Sequence, residues 1–167
     1  LQIEPEKFDI VALAHDVIES QELKATAKGI MLSMNKEAKP VFVFADRFRI
    51  RQVLVNLIVN SVKYGKEYGE TKVRINDVGE SVMIEIADNG IGIAKEHLPR
   101  LFERFYRVDK SRSREMGGTG LGLAIVKKAL DAHHATIRFE SKVNAGTTFI
   151  ITIPQQEKVD INYEYII

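Results

Sequence analysis

The sequence predicts an α+β fold: a two-layer α/β sandwich in which three main helices cover one face of a mixed, mainly antiparallel sheet. Three observations predict it. Apolar residues recur at helical spacing in three separate stretches. Paired runs of alternating character follow the second and third of these. Between the two pairs lies a long segment rich in glycine and basic residues that carries little regular pattern. With 167 residues, 45% of them hydrophobic, the chain suits one domain around a single core.

Taken in order, Phe8, Val11, Ala14, Val17 and Ile18 predict a first helix over 8–27. Val41-Phe42-Val43-Phe44 reads as a short buried strand. Asp46 is a candidate N-cap for a second helix with Ile50, Val53, Leu54, Leu57 and Ile58 on its apolar face, ending near Gly65. Strands are predicted over 71–76 and 81–87, joined by a turn at Asp77-Val78-Gly79-Glu80. The stretch 89–118 holds one short helix, near 95–105, and its length in a compact domain marks a functional lid or a disordered segment. A third long helix over 121–133 and strands over 136–141 and 147–153 complete the sheet, where Pro154 stops the ladder. The domain is expected to span 1–154, followed by a tail over 155–167.

A formal net charge of +1 with 28% charged residues leaves no global footprint for nucleic acid or an anionic membrane, so any anion site must be local. The absence of cysteine excludes disulfides and thiolate zinc sites and suits a reducing compartment. The longest apolar stretches, such as Phe149-Ile150-Ile151, are far too short for a bilayer helix, and no signal-like segment opens the chain. A chain that begins at Leu1 reads as a piece of a longer protein.

Four short segments carry candidate chemistry. In Asn56-Leu57-Ile58-Val59-Asn60-Ser61-Val62-Lys63-Tyr64, the residues Asn56, Asn60 and Tyr64 fall four apart and Lys63 three beyond Asn60, so they share one helix edge. A neutral amide oxygen can enter the shell of Mg²⁺, and a lysine ammonium pairs with phosphate oxygens. A solvated helix edge would look the same. In Asp88-Asn89-Gly90-Ile91-Gly92-Ile93, a carboxylate at a strand end can accept from an exocyclic amine, and Gly90 and Gly92 let backbone approach a flat ligand. An ordinary Asp-Asn-Gly turn is the competing reading, although nothing downstream supports a hairpin.

The third segment, Leu101-Phe102-Glu103-Arg104-Phe105-Tyr106-Arg107, sets arginines among aromatics and leads into Lys110, Arg112 and Arg114. Phe102 and Phe105 read as anchors on the core, the basic run as solvated loop, and Arg107 as a guanidinium aimed at a terminal phosphate. In the fourth, Gly118-Thr119-Gly120-Leu121-Gly122-Leu123, glycines lead into a helix whose free amides and dipole favour phosphate. A Walker loop is excluded because no Gly-Lys-Ser or Gly-Lys-Thr occurs. A dinucleotide fingerprint is excluded because Leu123 and Ile125 stand at the third glycine positions.

Together, in this order, the four segments resemble the N, G1, F and G2 boxes of the catalytic, ATP-binding domain of bacterial two-component sensor histidine kinases, in the GHKL superfamily. The resemblance covers 41–154. It implies the Bergerat-type sandwich with an ATP lid over 89–118, ATP and Mg²⁺ as cofactors, and transfer of the γ-phosphoryl to a histidine. It further implies that Asn60 coordinates Mg²⁺, that Asn56 and Lys63 support the phosphates, and that Tyr64 lines the nucleotide pocket. Asp88 would bind the adenine amine beside Gly90, Gly92 and Ile93. Arg107 would contact the γ-phosphate, and Gly118, Thr119, Gly120, Leu121 and Gly122 would form the hinge and floor of the lid. In the hydrolysing branches of the superfamily a glutamate that activates water stands where this chain has Asn56, and an amide is no general base at neutral pH.

Departures from the pattern are local. Ser61 stands where the family usually has alanine, and His134-Ala135 follow His133 where glycines usually end the helix, so a left-handed cap there would fall on a non-glycine residue. Of the four histidines, His15 precedes Asp16 but lacks the expected Leu-Arg-Thr-Pro continuation and lies too near Asn56 to be the acceptor. His97, His133 and His134 read as structural. The acceptor is therefore expected on an adjoining dimerisation domain of the parent, with a response regulator downstream. This chain alone would be monomeric, and the parent a homodimeric, membrane-bound sensor whose catalytic domain is cytoplasmic. A nucleotide-sensing module without transfer and a GHKL ATPase remain the alternatives.

Overall fold

The computed structural model describes residues 1–35, 39–103 and 122–155. The elements run β1 (Glu6–Asp9), α1 (Ile10–Ala27), β2 (Met31–Met34), β3 (Phe42–Ala45), α2 (Arg47–Lys63), β4 (Glu70–Asp77), β5 (Ser81–Asp88), a 3-10 helix (Lys95–Arg100), α3 (Gly122–Ala132), β6 (Thr136–Lys142) and β7 (Gly146–Pro154). Five strands form a sheet in the order β2-β4-β5-β7-β6, with β2 parallel to β4 and every other pair antiparallel. The α+β sandwich expected from the sequence is the fold observed.

Period-two alternation puts Val73 and Ile75 of β4, Val82, Ile84 and Ile86 of β5, and Phe149, Ile151 and Ile153 of β7 on the helix-covered face. Ile84 is opposite both Ile75 and Ile151, so the middle of the sheet is one apolar ladder. Against it pack Leu13, Ala14 and Val17 of α1, Ile50, Leu54, Leu57 and Ile58 of α2, and Val126, Ala129 and Leu130 of α3. Burying one side chain of this size contributes about 1.5–3 kcal/mol, so this face dominates the stability. The central helix α2 packs against both α1 and α3.

The structure corrects three expectations. The first helix starts at Ile10, because Asp9 is extended (φ −84°, ψ 107°) and its carboxylate accepts from the amides of Val11 and Val41 at 3.0 and 3.1 Å. Phe8 belongs instead to β1, which pairs antiparallel with β3 in a separate two-stranded ribbon. Nor is the 41–44 strand buried throughout: Val43 and Ala45 face the core while Phe42 and Phe44 are exposed, as a ribbon covered on one side requires. Strand β2 was not foreseen; four residues with only Leu32 buried carry too little alternation to announce a strand.

Asp46 caps α2 as expected, its Oδ1 accepting from the Arg49 amide at 3.1 Å. The 95–105 helix is observed as a 3-10 helix over Lys95–Arg100. At the end of α3, the amides of His134 and Ala135 donate to the carbonyls of Asp131 and Leu130 at 3.0 and 2.9 Å, a Schellman closure in which His134 takes the left-handed φ of 54°.

Candidate functional site

The polar edge of α2 runs alongside its buried stripe. Asn56 and Asn60, one turn apart, and Lys63 are partly exposed while Leu57 and Ile58 between them are buried. Asn56 is tied to the start of α3, where its Nδ2 donates to the carbonyl of Gly122 at 3.4 Å. Tyr64 closes α2, its amide donating to the Asn60 carbonyl at 3.1 Å, and Lys28 from the end of α1 donates to the carbonyls of Val62 and Lys63. A cation there offsets the negative end of the helix dipole.

The Asp88 turn folds directly against that helix end. Ile91 donates its amide to the Tyr64 carbonyl at 3.3 Å, and a Cβ at Gly90 would stand 2.5 Å from the same oxygen, so only glycine permits the approach. Asn89 fixes the other side, its Oδ1 accepting from the Glu70 amide at 2.9 Å. Gly92 adopts a left-handed φ of 72°, and a Cβ there would collide with the Lys142 carbonyl in the β6–β7 turn. The Ile93 amide donates to Ser141 Oγ at 2.7 Å and the Asn144 amide to the Ile91 carbonyl at 2.8 Å, so 91–93 is pinned across the end of the sheet.

Asp88 is opposite Thr71 of β4 and Thr147 of β7 at the end of the central strand. Its Oδ1 accepts from the Gly90 amide at 2.9 Å, an Asx turn, and from the Thr147 amide at 3.3 Å. The turn reading is therefore part of the geometry, yet no hairpin follows. Burial pushes the Asp88 carboxyl up from its ordinary value, and the amides of Gly90 and Thr147 offset part of that rise. A half-buried carboxylate oriented by two amides can accept from an exocyclic amine.

The sequence reading missed the hydroxyl residues around this carboxylate, of which Thr147 supports it through its amide. Thr147 and Ser141, whose hydroxyls lie 2.7 Å apart, and Ser61, whose hydroxyl accepts from Thr71 Oγ1 at 3.1 Å, all sit within this end of the fold. The register of β5 against β4 and β7 brings Thr71 and Thr147 beside Asp88, and the pairing of β6 with β7 and the packing of α2 then add Ser141 and Ser61. Arg107, Gly118, Thr119, Gly120 and Leu121 lie outside the described residues.

For Mg²⁺ the test is the donor set. Among the described residues no group of three or more His, Asp or Glu could hold a metal ion. What the α2 edge offers is neutral amide oxygens, which suit a hard cation that takes most of its ligands from phosphates and water. The residues therefore fit a phosphate-borne ion and not a dedicated cage.

A helix edge of amides and lysine, abutting a half-buried carboxylate in a glycine-shaped turn at the end of a helix-covered sheet, defines a nucleotide-binding α/β sandwich. Residues 45–157 match the model of the histidine kinase-, DNA gyrase B- and HSP90-like ATPases, and the chain belongs to that family. Among curated relatives it is 41% identical over 150 residues to the sensor protein RprX of Bacteroides fragilis, covering 89% of this chain and 29% of that one. With the sensor histidine kinase WalK of Bacillus subtilis it shares 40% identity over 132 residues, covering 78% of this chain and 22% of that one. The chain thus spans less than a third of the length of either relative.

Among solved structures, the catalytic domain of histidine kinase ThkA superposes with a TM-score of 0.80 at 30% identity, covering 92% of this chain and 97% of that one. Full-length ShkA in complex with AMPPNP gives a TM-score of 0.80 at 28% identity, over 92% and 32% of the two chains. ThkA in complex with response regulator protein TrrA gives 0.75 at 28% identity, over 92% and 42%. The chain is an ATP-binding catalytic domain of histidine kinase type.

Proposed function

We propose that this domain transfers the γ-phosphoryl group of ATP to a histidine on an adjoining dimerisation and acceptor domain of its parent protein, in two-component signal transduction. The observation that carries the reading is Asn56. The α2 edge beside the phosphate region offers an amide bonded to the Gly122 carbonyl, and an amide cannot take a proton from water. The site therefore holds and orients a triphosphate without activating water against it, and catalysis rests on positioning and charge.

In this reading Asp88 accepts from the adenine amine, with Gly90, Gly92 and Ile93 shaping that side and Tyr64 lining the pocket. Asn60 is the protein ligand to Mg²⁺, with Asn56 and Lys63 supporting the phosphates. Arg107 contacts the γ-phosphate, and Gly118, Thr119, Gly120, Leu121 and Gly122 form the hinge and floor of the lid. Mg²⁺, when bound, would supply positive charge against that of the phosphates. The phosphohistidine then serves a response regulator, the class of partner named in the ThkA–TrrA complex. No described helix is long and apolar enough to cross a membrane. The parent is proposed to be a homodimeric, membrane-bound sensor with this domain in the cytoplasm, spanning 1–154 with a tail over 155–167.

The test is ATP turnover by the domain alone and with the parent's acceptor domain supplied separately. Slow turnover alone, with phosphate appearing on the acceptor when it is added, is the expected result. Rapid hydrolysis indifferent to the acceptor would move the chain to the ATPase class. Tight ATP binding with neither reaction would make it a sensing module.

A further inference from the structure

The buried ring of His133 makes two hydrogen bonds that only one protonation state allows. Its Nδ1 lies 2.7 Å from the Ala129 carbonyl oxygen, which can only accept, so Nδ1 carries the proton. Its Nε2 lies 2.9 Å from the Asp46 amide, which can only donate, so Nε2 carries a lone pair. The neutral, Nδ1-protonated imidazole satisfies both. The imidazolium would set a second N–H against the Asp46 N–H and leave a buried donor without an acceptor.

The Asp46 amide is one of the four at the start of α2 that the helix itself cannot satisfy. In a capping box a glutamate or glutamine three residues on accepts from it. Here that residue is Arg49, which has no acceptor, so His133, just past the end of α3, fills the place. Helices α2 and α3 are thus joined at two points: His133 with Asp46, and Asn56 with Gly122. The second join lies at the nucleotide edge, some 11 residues or about 16 Å along α3 from the first.

We infer that His133 is a positioning residue for the nucleotide site. Its neutral ring bolts the end of α3 to the N-cap of α2 and so holds the start of α3 against the helix bearing Asn56 and Asn60. On α2 the Asp46 carboxylate acts on the ring electrostatically, but it is held by the Glu4 amide at 2.9 Å and the Arg49 amide at 3.1 Å, with the Arg49 guanidinium also acting on it. On α3, Lys127 and Asp131 pair with each other at 2.7 Å on the exposed side.

The test compares the wild-type chain with H133Q, whose side-chain oxygen can accept from the Asp46 amide, and with H133A, which offers no acceptor. Dissociation constants for Mg-ATP are measured at pH 8. H133A is expected to bind about five-fold more weakly than the wild type, the loss of roughly one hydrogen bond, and H133Q to recover most of that affinity. Wild-type affinity in H133A, or H133Q as weak as H133A, would overturn the proposal. Should either variant fail to fold, the nitrogen resonances of ¹⁵N-histidine-labelled wild type at pH 8 decide it: an Nδ1–H tautomer is expected, and Nε2–H would overturn it. Only the consequence for phosphoryl transfer rests on the kinase reading. Both measurements need no acceptor, so their failure and the failure of that reading are separate results.

Discussion

Asn56, midway along α2, donates from Nδ2 to the main-chain carbonyl of Gly122, the first residue of α3, at 3.4 Å. Side chain and carbonyl are 66 residues apart in sequence. The contact joins the helix edge proposed to carry the metal and phosphates to the helix that emerges from the glycine segment.

Replacing Asn56 with alanine breaks that join and deletes a proposed phosphate contact. The hydrogen bond is long, so the stability loss should be small, about 0.5 kcal/mol. ATP affinity should fall about ten-fold, as loss of a contact to a charged group does. Calorimetric titration checks this, and unchanged affinity would remove Asn56 from the site.

Asp88→Asn separates binding from stability. Burial raises the folded-state pKa of this carboxyl, so folding penalises its ionised form. The penalty is absent where the group is protonated, below its ordinary value near 3.9, grows as pH rises towards the folded value, and is complete above it. At pH 7 the variant should therefore melt at or above the wild-type temperature, with the difference shrinking as pH falls from the raised folded value towards about 4. It should nonetheless lose most of its ATP affinity, because an amide nitrogen cannot accept from an adenine amine. Melting curves at two pH values and a binding isotherm check both signs; a clear loss of stability at pH 7 would contradict the account.

Gly92→Ala forces a Cβ against the Lys142 carbonyl at a left-handed φ of 72°. The strain of the φ alone is about 1–2 kcal/mol. Segment 91–93 should detach from the β6–β7 turn, and hydrogen exchange at Ile93 and Asn144, whose amides donate across that seam, should accelerate. Unchanged protection would contradict it.

His134→Gly should stabilise. His134 takes φ 54° at the closure of α3 and its side chain is exposed, so glycine relieves backbone strain without opening a cavity. After the entropy cost of glycine in the unfolded chain, a net gain of about 0.5–1 kcal/mol is expected in urea denaturation.

The central sheet, the capped helix α2 and the excess of antiparallel pairing were legible because their signals are local: Asp46 three residues before the Arg49 amide it accepts, and alternation along 81–87. Strand β2 was not, because it exists only through its parallel pairing with β4. The exposure of Phe42 and Phe44 follows from a ribbon partner, β1, that hid inside what read as the first turn of a helix. Residue types and helix spacing nominated Asn56, Asn60, Lys63, Tyr64 and Asp88 as candidates, and the structure sets them along the α2 edge and in the turn that folds against its end. Thr147 and Ser141, like the His133 bolt, depend on contacts between residues 48 to 87 positions apart, which no local pattern records.

The account stands most directly on where the phosphate goes. This chain is incubated with Mg²⁺ and ATP labelled in the γ-phosphate, together with the parent's acceptor domain, and acid-labile, base-stable label is located on each polypeptide. The account predicts phosphohistidine on the acceptor and essentially none on this chain, where the described helix α1 presents His15 on an exposed face without the family's acceptor pattern. Stoichiometric phosphohistidine on this chain itself, or release of all label as free phosphate, would contradict it.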